Sequence, residues 1–453
     1  MWRTYVICVL IGLLLVTSGS SVVLLRQVIS TQAEVDRLRQ QLKLAATPAA
    51  TASTTAAIPA PTLALGSPNS DVLQRIESDV VTLRGLQPKA SVPVRVLDQP
   101  ALQQFFVDRF NQDYLPSERE SDQKLLATLG IVNPGESVAQ ILLGVLQEQI
   151  IGMYNQDDKV MYLLADNGHF GPEEKGTVAH EFDHALQDQY FDLTTLAPKH
   201  PDNDDRSLAI EALTEGDATL IQRLWAQQNL GADELNQLGQ GAAMSQLLSA
   251  PLLLREQLLF PYTDGFTFIR QTYQAFGFAG VDDVFRHPPQ STAQILHIDK
   301  YRGHVAPADV ALPDLVSSGG PLGPGWRLIS SNVLGELDLR LILAQFTDST
   351  HGARGASGWA GDRWQLLEKD GRQAVVIKSV WDSENEARTF FDTFALAMKN
   401  RFPGAHEEEA SAARQALTAA SAATEIRRAG ATVVVAISFD RPSAEAIATA
   451  VGF

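Results

Sequence analysis

The sequence of 453 residues holds a single cysteine, Cys8, and is short of positive charge. Because no second thiol is present, the remainder of the chain forms no disulfide, and cysteine usage does not indicate a redox compartment. Lysine and arginine total 36 against 53 aspartates and glutamates, which gives a formal net charge of -17. Recognition of nucleic-acid phosphates requires a basic surface, so this composition argues against a nucleic-acid partner.

Residues 1–26 are predicted to form a membrane anchor or a signal segment. The residues from Tyr5 to Leu25 carry no charge, and the length of this apolar run suits a membrane span. The small residues Ser18-Gly19-Ser20-Ser21 also fit the cleavage site of a signal peptide. Because the apolar run continues beyond them to Leu25, we favour an uncleaved anchor.

Residues 27–70 predict a stalk and a low-complexity linker. Apolar residues spaced through 27–44 fit a short helix or coiled-coil stalk, and residues 45–70 are rich in alanine, threonine, proline and serine. This layout predicts a single-pass membrane protein whose folded part lies outside the cytoplasm, or a secreted protein if the first segment is cleaved.

The rest of the chain predicts an α+β protein of two domains. Residues 71–317 are mainly helical in pattern, with a short strand at 92–97 and a hairpin within 149–164, around the polar turn Asn155-Gln156-Asp157-Asp158. The breaker-rich segment 318–325 marks a boundary. Residues 318–453 predict a C-terminal α+β sandwich, in which we find no cluster of side chains suited to chemistry. Its strands are predicted at 364–368 and 373–381, which form one hairpin, and at 424–428 and 432–439, which form another.

The pentapeptide His180-Glu181-Phe182-Asp183-His184 is an H-E-x-x-H pattern inside a predicted helix, residues 177–193. On a helix, positions i and i+4 share one face, so both imidazoles would point at one spot. That arrangement suits a zinc ion, with Glu181 beside it to take a proton from a metal-bound water. Asp183 is compatible with such a helix if its charge points outward. The alternative is an amphipathic helix whose histidines face solvent or a polar core.

A catalytic zinc ion takes three protein ligands, so a third one must come from elsewhere in the chain. Residues 207–221 form a second helical pattern that carries Glu211 and Glu215 one turn apart, and both are candidates. The polar, proline-containing residues 197–206 predict an inserted surface loop before this helix. A carboxylate is also expected to orient each ligating histidine, and Asp188 and Asp217 lie nearby in sequence.

The H-E-x-x-H helix together with T-E-G-D-A at residues 214–218 resembles the gluzincin metallopeptidases, the group of thermolysin and the zinc aminopeptidases. The resemblance implies a zincin-like catalytic domain in which His180, His184 and Glu215 hold Zn2+ and Glu181 is the general base. The sequence departs from the group's pattern in the longer gap between the second histidine and the glutamate. It also departs at residue 214, a threonine where asparagine is common.

The resemblance to the gluzincins favours Glu215 over Glu211 as the third ligand. Residues 72–302 are also similar to bacterial proteins of unassigned substrate that combine H-E-x-x-H-A-L-Q-D-Q, E-G-D-A and P-P-x-S-T-x-Q-I-L-H segments. Peptidases of this group place a strand beside the metal helix, where its free edge pairs with the substrate. They commonly add a donor for the oxyanion, for which the candidates are Tyr262, His297 and Tyr301.

The sequence therefore predicts zinc-dependent hydrolysis of peptide bonds in a protein or peptide substrate. One alternative is a non-catalytic zinc-binding or interaction module at the membrane surface. Another is a zinc hydrolase that acts on a non-peptide amide, because the same ligands would serve both reactions.

Overall fold

The computed structural model describes residues 68–133, 135–164, 170–198, 202–238, 244–317 and 319–452. The predicted anchor and stalk, and the linker up to residue 67, lie outside these residues. Within the described ranges, no helix has both the length and the apolar character that a membrane span requires.

The described residues from 68 to 302 form mainly helices packed around a three-stranded sheet. Its elements in chain order are α1 (Pro68–Arg84), β1 (Val94–Leu97), α2 (Gln99–Asp113), α3 (Pro116–Leu129), α4 (Val138–Gln149), β2 (Gly152–Asn155), β3 (Val160–Leu164), α5 (Pro172–Phe191), α6 (Leu193–Leu196), α7 (Asp204–Asn229), α8 (Ala232–Gln237), α9 (Ser245–Ser249), α10 (Leu252–Phe260), a π-helical turn (Pro261–Gly265), α11 (Phe266–Arg286), α12 (Thr292–Leu296) and α13 (Ile298–Arg302).

The small sheet has the order β1-β3-β2, so β2 has a neighbour on one side only. Strand β1 runs parallel to β3, and β2 pairs antiparallel with β3 through the tight turn between them. The predicted hairpin within 149–164 and the strand at 92–97 are thereby confirmed. The free edge of β2 faces α5, because the backbone N–H of Tyr154 donates to the side chain of Glu181 on that helix.

Helix α7 begins earlier than the sequence pattern indicates. Its first residue is Asp204, and Asn203 caps it by accepting a hydrogen bond from the Arg206 N–H at 2.9 Å. Asp204 and Asp205 are buried against later parts of the chain. The C-terminal end of the predicted surface loop is therefore helical and partly buried, since the Asp204 N–H and the Asp205 carboxylate find partners that lie far away in sequence.

The C-terminal part is built on a seven-stranded antiparallel sheet of order β4-β5-β6-β10-β9-β8-β7. Its elements are β4 (Trp326–Asn332), α14 (Gly335–Phe346), α15 (Ser349–Ala356), β5 (Trp359–Lys369), β6 (Arg372–Trp381), α16 (Glu384–Arg401), β7 (His406–Ala410), β8 (Arg414–Thr418), β9 (Ala423–Ala429), β10 (Thr432–Ser438) and α17 (Arg441–Ala450).

Alternation along the central strand β10 explains why both faces of this sheet are covered. Val433 and Val435 point to the face that packs against α16, and Val434 and Ala436 point to the face that packs against α17. The mixed α+β class is thus confirmed. The boundary near residue 318 stays a prediction, and one apolar cluster contains buried residues from both sides of it.

Candidate metal centre

Helix α5 carries the H-E-x-x-H residues in its buried central turns. It starts at Pro172, a residue type suited to the first helical position, with Glu173 and Glu174 in the first turn at the positive end of the helix dipole. It ends where Asp192 adopts a left-handed conformation with φ 54°. The continuous helix brings both histidines to one face, as their spacing predicts.

Helix α7 runs beside α5 and brings Glu215 to the two histidines. The Nε2 atom of His180 lies 3.0 Å from Glu215 Oε2, and the Nε2 atom of His184 lies 3.4 Å from the same oxygen. The two Nε2 atoms are 3.1 Å apart. Among the described residues, these three form the group of histidine and carboxylate ligand atoms that lie within 4.8 Å of one another. Glu211, one turn earlier on α7, is buried but does not belong to this group.

The three donor atoms fit a single metal ion. In a tetrahedral site with bonds of about 2.0–2.1 Å, neighbouring donors lie roughly 3.3 Å apart, and the separations here run from 3.0 to 3.4 Å. Two facing imidazole nitrogens repel each other through their lone pairs unless a proton or a cation lies between them. The second carboxylate oxygen of Glu215 is buried without a hydrogen-bond partner. This group could therefore hold a metal ion.

Charge coupling between the ligands is strong. Burial alone would raise the pKa of Glu215, but the neighbouring His184 and the hydrogen bonds from both imidazoles lower it to about 2. Burial would likewise lower the pKa of His184, but the Glu215 carboxylate raises it to about 10. A proton on His184 thus neutralises Glu215 when no metal is bound, and metal binding must displace that proton.

Glu181 is held at the centre by the edge of the small sheet. Its Oε2 atom accepts a hydrogen bond of 2.6 Å from the backbone N–H of Tyr154 in β2. Burial raises the pKa of Glu181, partly opposed by the two histidines. Residue Glu181 is 4% exposed, similar to His180 at 3% and His184 at 4%. The centre is therefore nearly enclosed.

Gln187 orients His184, although only Asp188 and Asp217 were expected to do so from the sequence. Its Oε1 atom lies 3.0 Å from His184 Nδ1. Its Nε2 atom donates to Asp183 at 2.9 Å, to the Thr214 carbonyl at 3.1 Å and to Asp217 at 3.3 Å. Since the amide nitrogen faces three acceptors, the amide oxygen must face the imidazole, which places the proton on Nδ1 and leaves Nε2 free for a metal. The i+3 spacing from His184 was the available signal.

Asp183 does not point to solvent. The outward orientation that the sequence analysis required of its charge is therefore wrong. It is fully buried, with its Oδ1 atom 3.8 Å from the guanidinium of Arg84 on α1. The same guanidinium contacts Asp217 at 3.1 Å and Asp282 at 2.7 Å. Burial and the adjacent Asp217 raise the pKa of Asp183, against the attraction of Arg84. Asp217 thus acts on the metal centre indirectly, through the amide of Gln187.

Asp188 contacts neither histidine. It accepts hydrogen bonds from the Tyr154 hydroxyl at 2.7 Å and from Lys159 at 2.6 Å, which hold the β2–β3 hairpin against α5. Its other oxygen accepts from the Leu193 N–H at 3.2 Å. Its role is therefore to position the hairpin rather than to orient a ligand.

Of the three oxyanion candidates, the structure brings only Tyr262 to the centre. Its ring centroid lies 6.4 Å from that of His180, and the two rings are inclined by 25°. His297 is paired with Glu336 at 2.6 Å, and the hydroxyl of Tyr301 donates to the carbonyl of His287 at 2.8 Å. These two side chains are engaged elsewhere.

Comparisons with known proteins cover the chain only in part. Residues 326–448 match a domain of unknown function, DUF8575, which contains none of the residues of the metal centre. No curated protein matches the chain. Among solved structures, it is similar to a Chloroflexus aurantiacus protein described as "a putative hydrolase with a novel fold", with 14% identity and a TM-score of 0.35, over 54% of this chain and 92% of that chain. A likeness at this level assigns neither fold nor function.

Proposed function

We propose that this chain is a zinc-dependent hydrolase of peptide bonds, related in its centre to the gluzincin metallopeptidases. The observation that carries the proposal is the convergence of His180, His184 and Glu215, at tetrahedral donor spacing, beside Glu181. Two imidazoles and one carboxylate form a donor set typical of catalytic zinc. The N-terminal sequence extends the proposal to a membrane-anchored enzyme acting outside the cytoplasm.

Each side chain has a distinct role in the proposed reaction. When bound, zinc polarises the substrate carbonyl and lowers the pKa of a coordinated water to about 7. Glu181 accepts a proton from the attacking water and passes it to the leaving amine. Tyr262, beside His180, donates a hydrogen bond to the oxyanion. Gln187 keeps His184 in the tautomer whose Nε2 faces the centre.

The free edge of β2 supports the assignment of a peptide as the substrate. An extended peptide can add to an unpaired strand edge through backbone hydrogen bonds. The edge of β2 lies directly at Glu181, since the Tyr154 N–H reaches its carboxylate. To bind there, a peptide would take the Tyr154 N–H from Glu181, and its backbone would then lie beside the general base.

The decisive experiment compares metal content and proteolysis in the purified full-length chain. Wild type is expected to bind one equivalent of zinc and to cleave an unfolded protein. Glu181→Gln should keep the metal and lose at least about a hundredfold in kcat, because the glutamine carbonyl can still accept from Tyr154 but cannot take a proton. His184→Ala should lose the metal, and His351→Ala, which alters an exposed histidine, should change neither property. Full activity of the Glu181→Gln chain contradicts the proposed mechanism.

The near-enclosure of the centre favours a second candidate, a non-catalytic metal-binding module. Side chains that are 3–4% exposed admit water more readily than a polypeptide. In that case, the wild-type chain would hold zinc at the same three ligands and cleave neither proteins nor small amides.

A further inference from the structure

Two arginines share one aromatic ring near the metal centre. The guanidinium carbon of Arg223, on α7, lies 4.1 Å from the ring centroid of Phe266. That of Arg270, on α11, lies 5.9 Å from the same centroid. The two cations therefore lie on a common platform contributed by the first residue of α11.

The arginine pair has no counter-charge in the part of the chain that the structure describes. No carboxylate there forms an ion pair with either guanidinium. Burial, together with the charge of Arg270, lowers the pKa of Arg223 to about 10. The Nε atom of Arg223 is buried without a hydrogen-bond partner. Two adjacent arginines that share a ring and have no carboxylate partner among the described residues point to an external anion.

Both arginines lie on helices that lead away from the centre: α7 also carries Glu215, and α11 continues from the π-helical turn that carries Tyr262. Arg223 follows Glu215 by eight residues on α7, a rise of about 12 Å. Phe266 follows Tyr262, the tyrosine beside His180, by four residues. Between the centre and the arginines lies Thr219, which is 1% exposed and whose hydroxyl has no hydrogen-bond partner. The unused polar groups thus extend from the metal ligands to the arginine pair.

We propose that Arg223 and Arg270 form a carboxylate-binding subsite of the peptidase. A planar guanidinium binds a carboxylate through two parallel hydrogen bonds, which makes arginine the favoured partner for that group. A separation of about 12 Å corresponds to roughly three residues of extended peptide. The subsite would therefore select peptides that carry a negative charge about three residues from the cleaved bond. This inference rests on the proposed function.

The carboxylate can be supplied by the C-terminus of the peptide or by an acidic side chain. The test uses a fluorescein-labelled peptide of fixed sequence in four forms. The first pair differs at the C-terminus, which is a free carboxylate in one peptide and an amide in the other. The second pair is amidated and carries either glutamate or glutamine three residues from the cleaved bond. Cleavage by the full-length wild-type chain gives kcat/KM, and fluorescence anisotropy with zinc-loaded Glu181→Gln gives the dissociation constant.

We expect wild type to prefer one or both anionic forms by at least about tenfold. In Arg223→Gln and in Arg270→Gln, this preference should fall to about twofold or less, because the anionic group loses a guanidinium partner. Because Arg270 is exposed, its replacement leaves the fold intact even if Arg223→Gln unfolds. The matched control is Arg372→Gln, which removes an exposed arginine 3.9 Å from the ring centroid of Phe439 in the C-terminal sheet.

The cleavage assay and the binding assay together distinguish a wrong assignment of the subsite from a wrong assignment of the peptidase. Cleavage and binding without a charge preference, or a preference that survives both substitutions, overturn the subsite and leave the peptidase in place. Arginine-dependent binding of the anionic forms without cleavage overturns the peptidase and supports the subsite. An absence of both cleavage and charge-dependent binding overturns both proposals.

Discussion

At the scale of single residues, the centre depends on an amide where metal sites often use a carboxylate. Gln187 can accept from His184 only while its nitrogen is held by Asp183, Asp217 and the Thr214 carbonyl. A glutamate there would add a third buried carboxylate beside Asp183 and Asp217, at a high cost in desolvation. The neutral amide avoids that cost and still determines the tautomer.

Gln187→Leu is expected to weaken zinc binding by about 10- to 100-fold, because His184 loses the acceptor that orients its ring. The affinity can be measured by competition with a metal chelator at fixed pH. Gln189→Leu is the matched control on the same helix, since the Gln189 side chain bonds to the backbone of Lys89 and Ala90. Equal zinc affinity in Gln187→Leu and wild type would show that the contact is incidental.

Tyr262→Phe is expected to lower kcat by roughly a hundredfold with little change in KM, because an oxyanion donor acts mainly in the transition state. Steady-state kinetics on one peptide measures both values. Tyr301→Phe removes a hydroxyl that bonds the His287 carbonyl, and it should leave both values near those of wild type. A rise in KM alone in Tyr262→Phe would instead assign this side chain to substrate binding.

At the scale of elements, the centre requires very close packing of α7 against the π-helical turn. A Cβ atom at Gly216 would lie 2.5 Å from the carbonyl oxygen of Gly265, and one at Gly265 would lie 2.3 Å from that of Ala212. Gly216 directly follows Glu215 in α7. The absence of side chains at these glycines therefore lets the turn approach α7 and brings Tyr262 to the centre.

Gly216→Ala is expected to destabilise the protein by about 1–3 kcal/mol, because the added methyl group meets backbone atoms that cannot rotate away. The helix propensity of alanine offsets only about 0.5–1 kcal/mol of that cost. Urea unfolding measures the change in free energy. Gly144→Ala, within α4, meets only the end of the flexible Gln246 side chain and should be neutral or stabilising. Equal stability of both variants would mean that α7 and the turn separate easily.

The strands of the seven-stranded sheet differ in how well the sequence pattern predicts them. Strands β5, β6, β9 and β10 were predicted because buried apolar residues recur along them. Strands β4 and β7, at the two edges of the sheet, and β8 beside β7 were missed. Strand β7 has the sequence H-E-E-E-A and is largely exposed, so it carries no alternating apolar signal. Such strands form because a neighbour offers backbone partners, which only the assembled sheet supplies.

At the scale of the whole molecule, buried polar contacts join the two halves of the chain. The side chain of Asn332 accepts from the Asp204 N–H at 2.9 Å, and Gln257 on α10 donates to Asp338 on α14. Within the C-terminal half, Asp362 accepts from the backbone N–H groups of Leu334 and Gly335 and from the Trp359 indole. Carboxylates are thus concentrated where the halves meet.

This concentration predicts a stability that decreases with rising pH in the weakly acidic range. Burial raises the pKa of Asp362 to about 6, and the charge of Asp338 acts in the same direction. The hydrogen bonds to Asp362 oppose this shift. An aspartate whose pKa is higher in the folded than in the unfolded state stabilises the fold most at low pH. Its full contribution is present at pH values below the unfolded-state pKa, about 3.9. The contribution, roughly 3 kcal/mol, is lost as pH rises from about 4 to 6. Burial raises the pKa of Asp205 well above its ordinary value, with an effect of the same sign.

Urea unfolding of wild type and Asp362→Asn between pH 4 and 7 tests this expectation. The difference in the free energy of unfolding, wild type minus variant, should fall by about 3 kcal/mol over that interval. Asp370→Asn changes an aspartate in the turn between β5 and β6 and should show no such trend. A difference that stays constant or grows with pH would mean that Asp362 is ionised throughout.

The sequence by itself determined the local parts of this protein. The α+β class, the H-E-x-x-H helix, the hairpin before it and the paired histidines all follow from periodicity and i,i+4 spacing, which act over a few residues. Only the tertiary structure decided which glutamate meets the histidines, that Asp183 faces Arg84, that Gln187 orients His184 and that Tyr262 alone reaches the centre. Except for the local Gln187–His184 pair, whose orientation is fixed by Asp217 and the Thr214 carbonyl on α7, these contacts join residues far apart in the chain. Their geometry depends on how closely the buried helices pack.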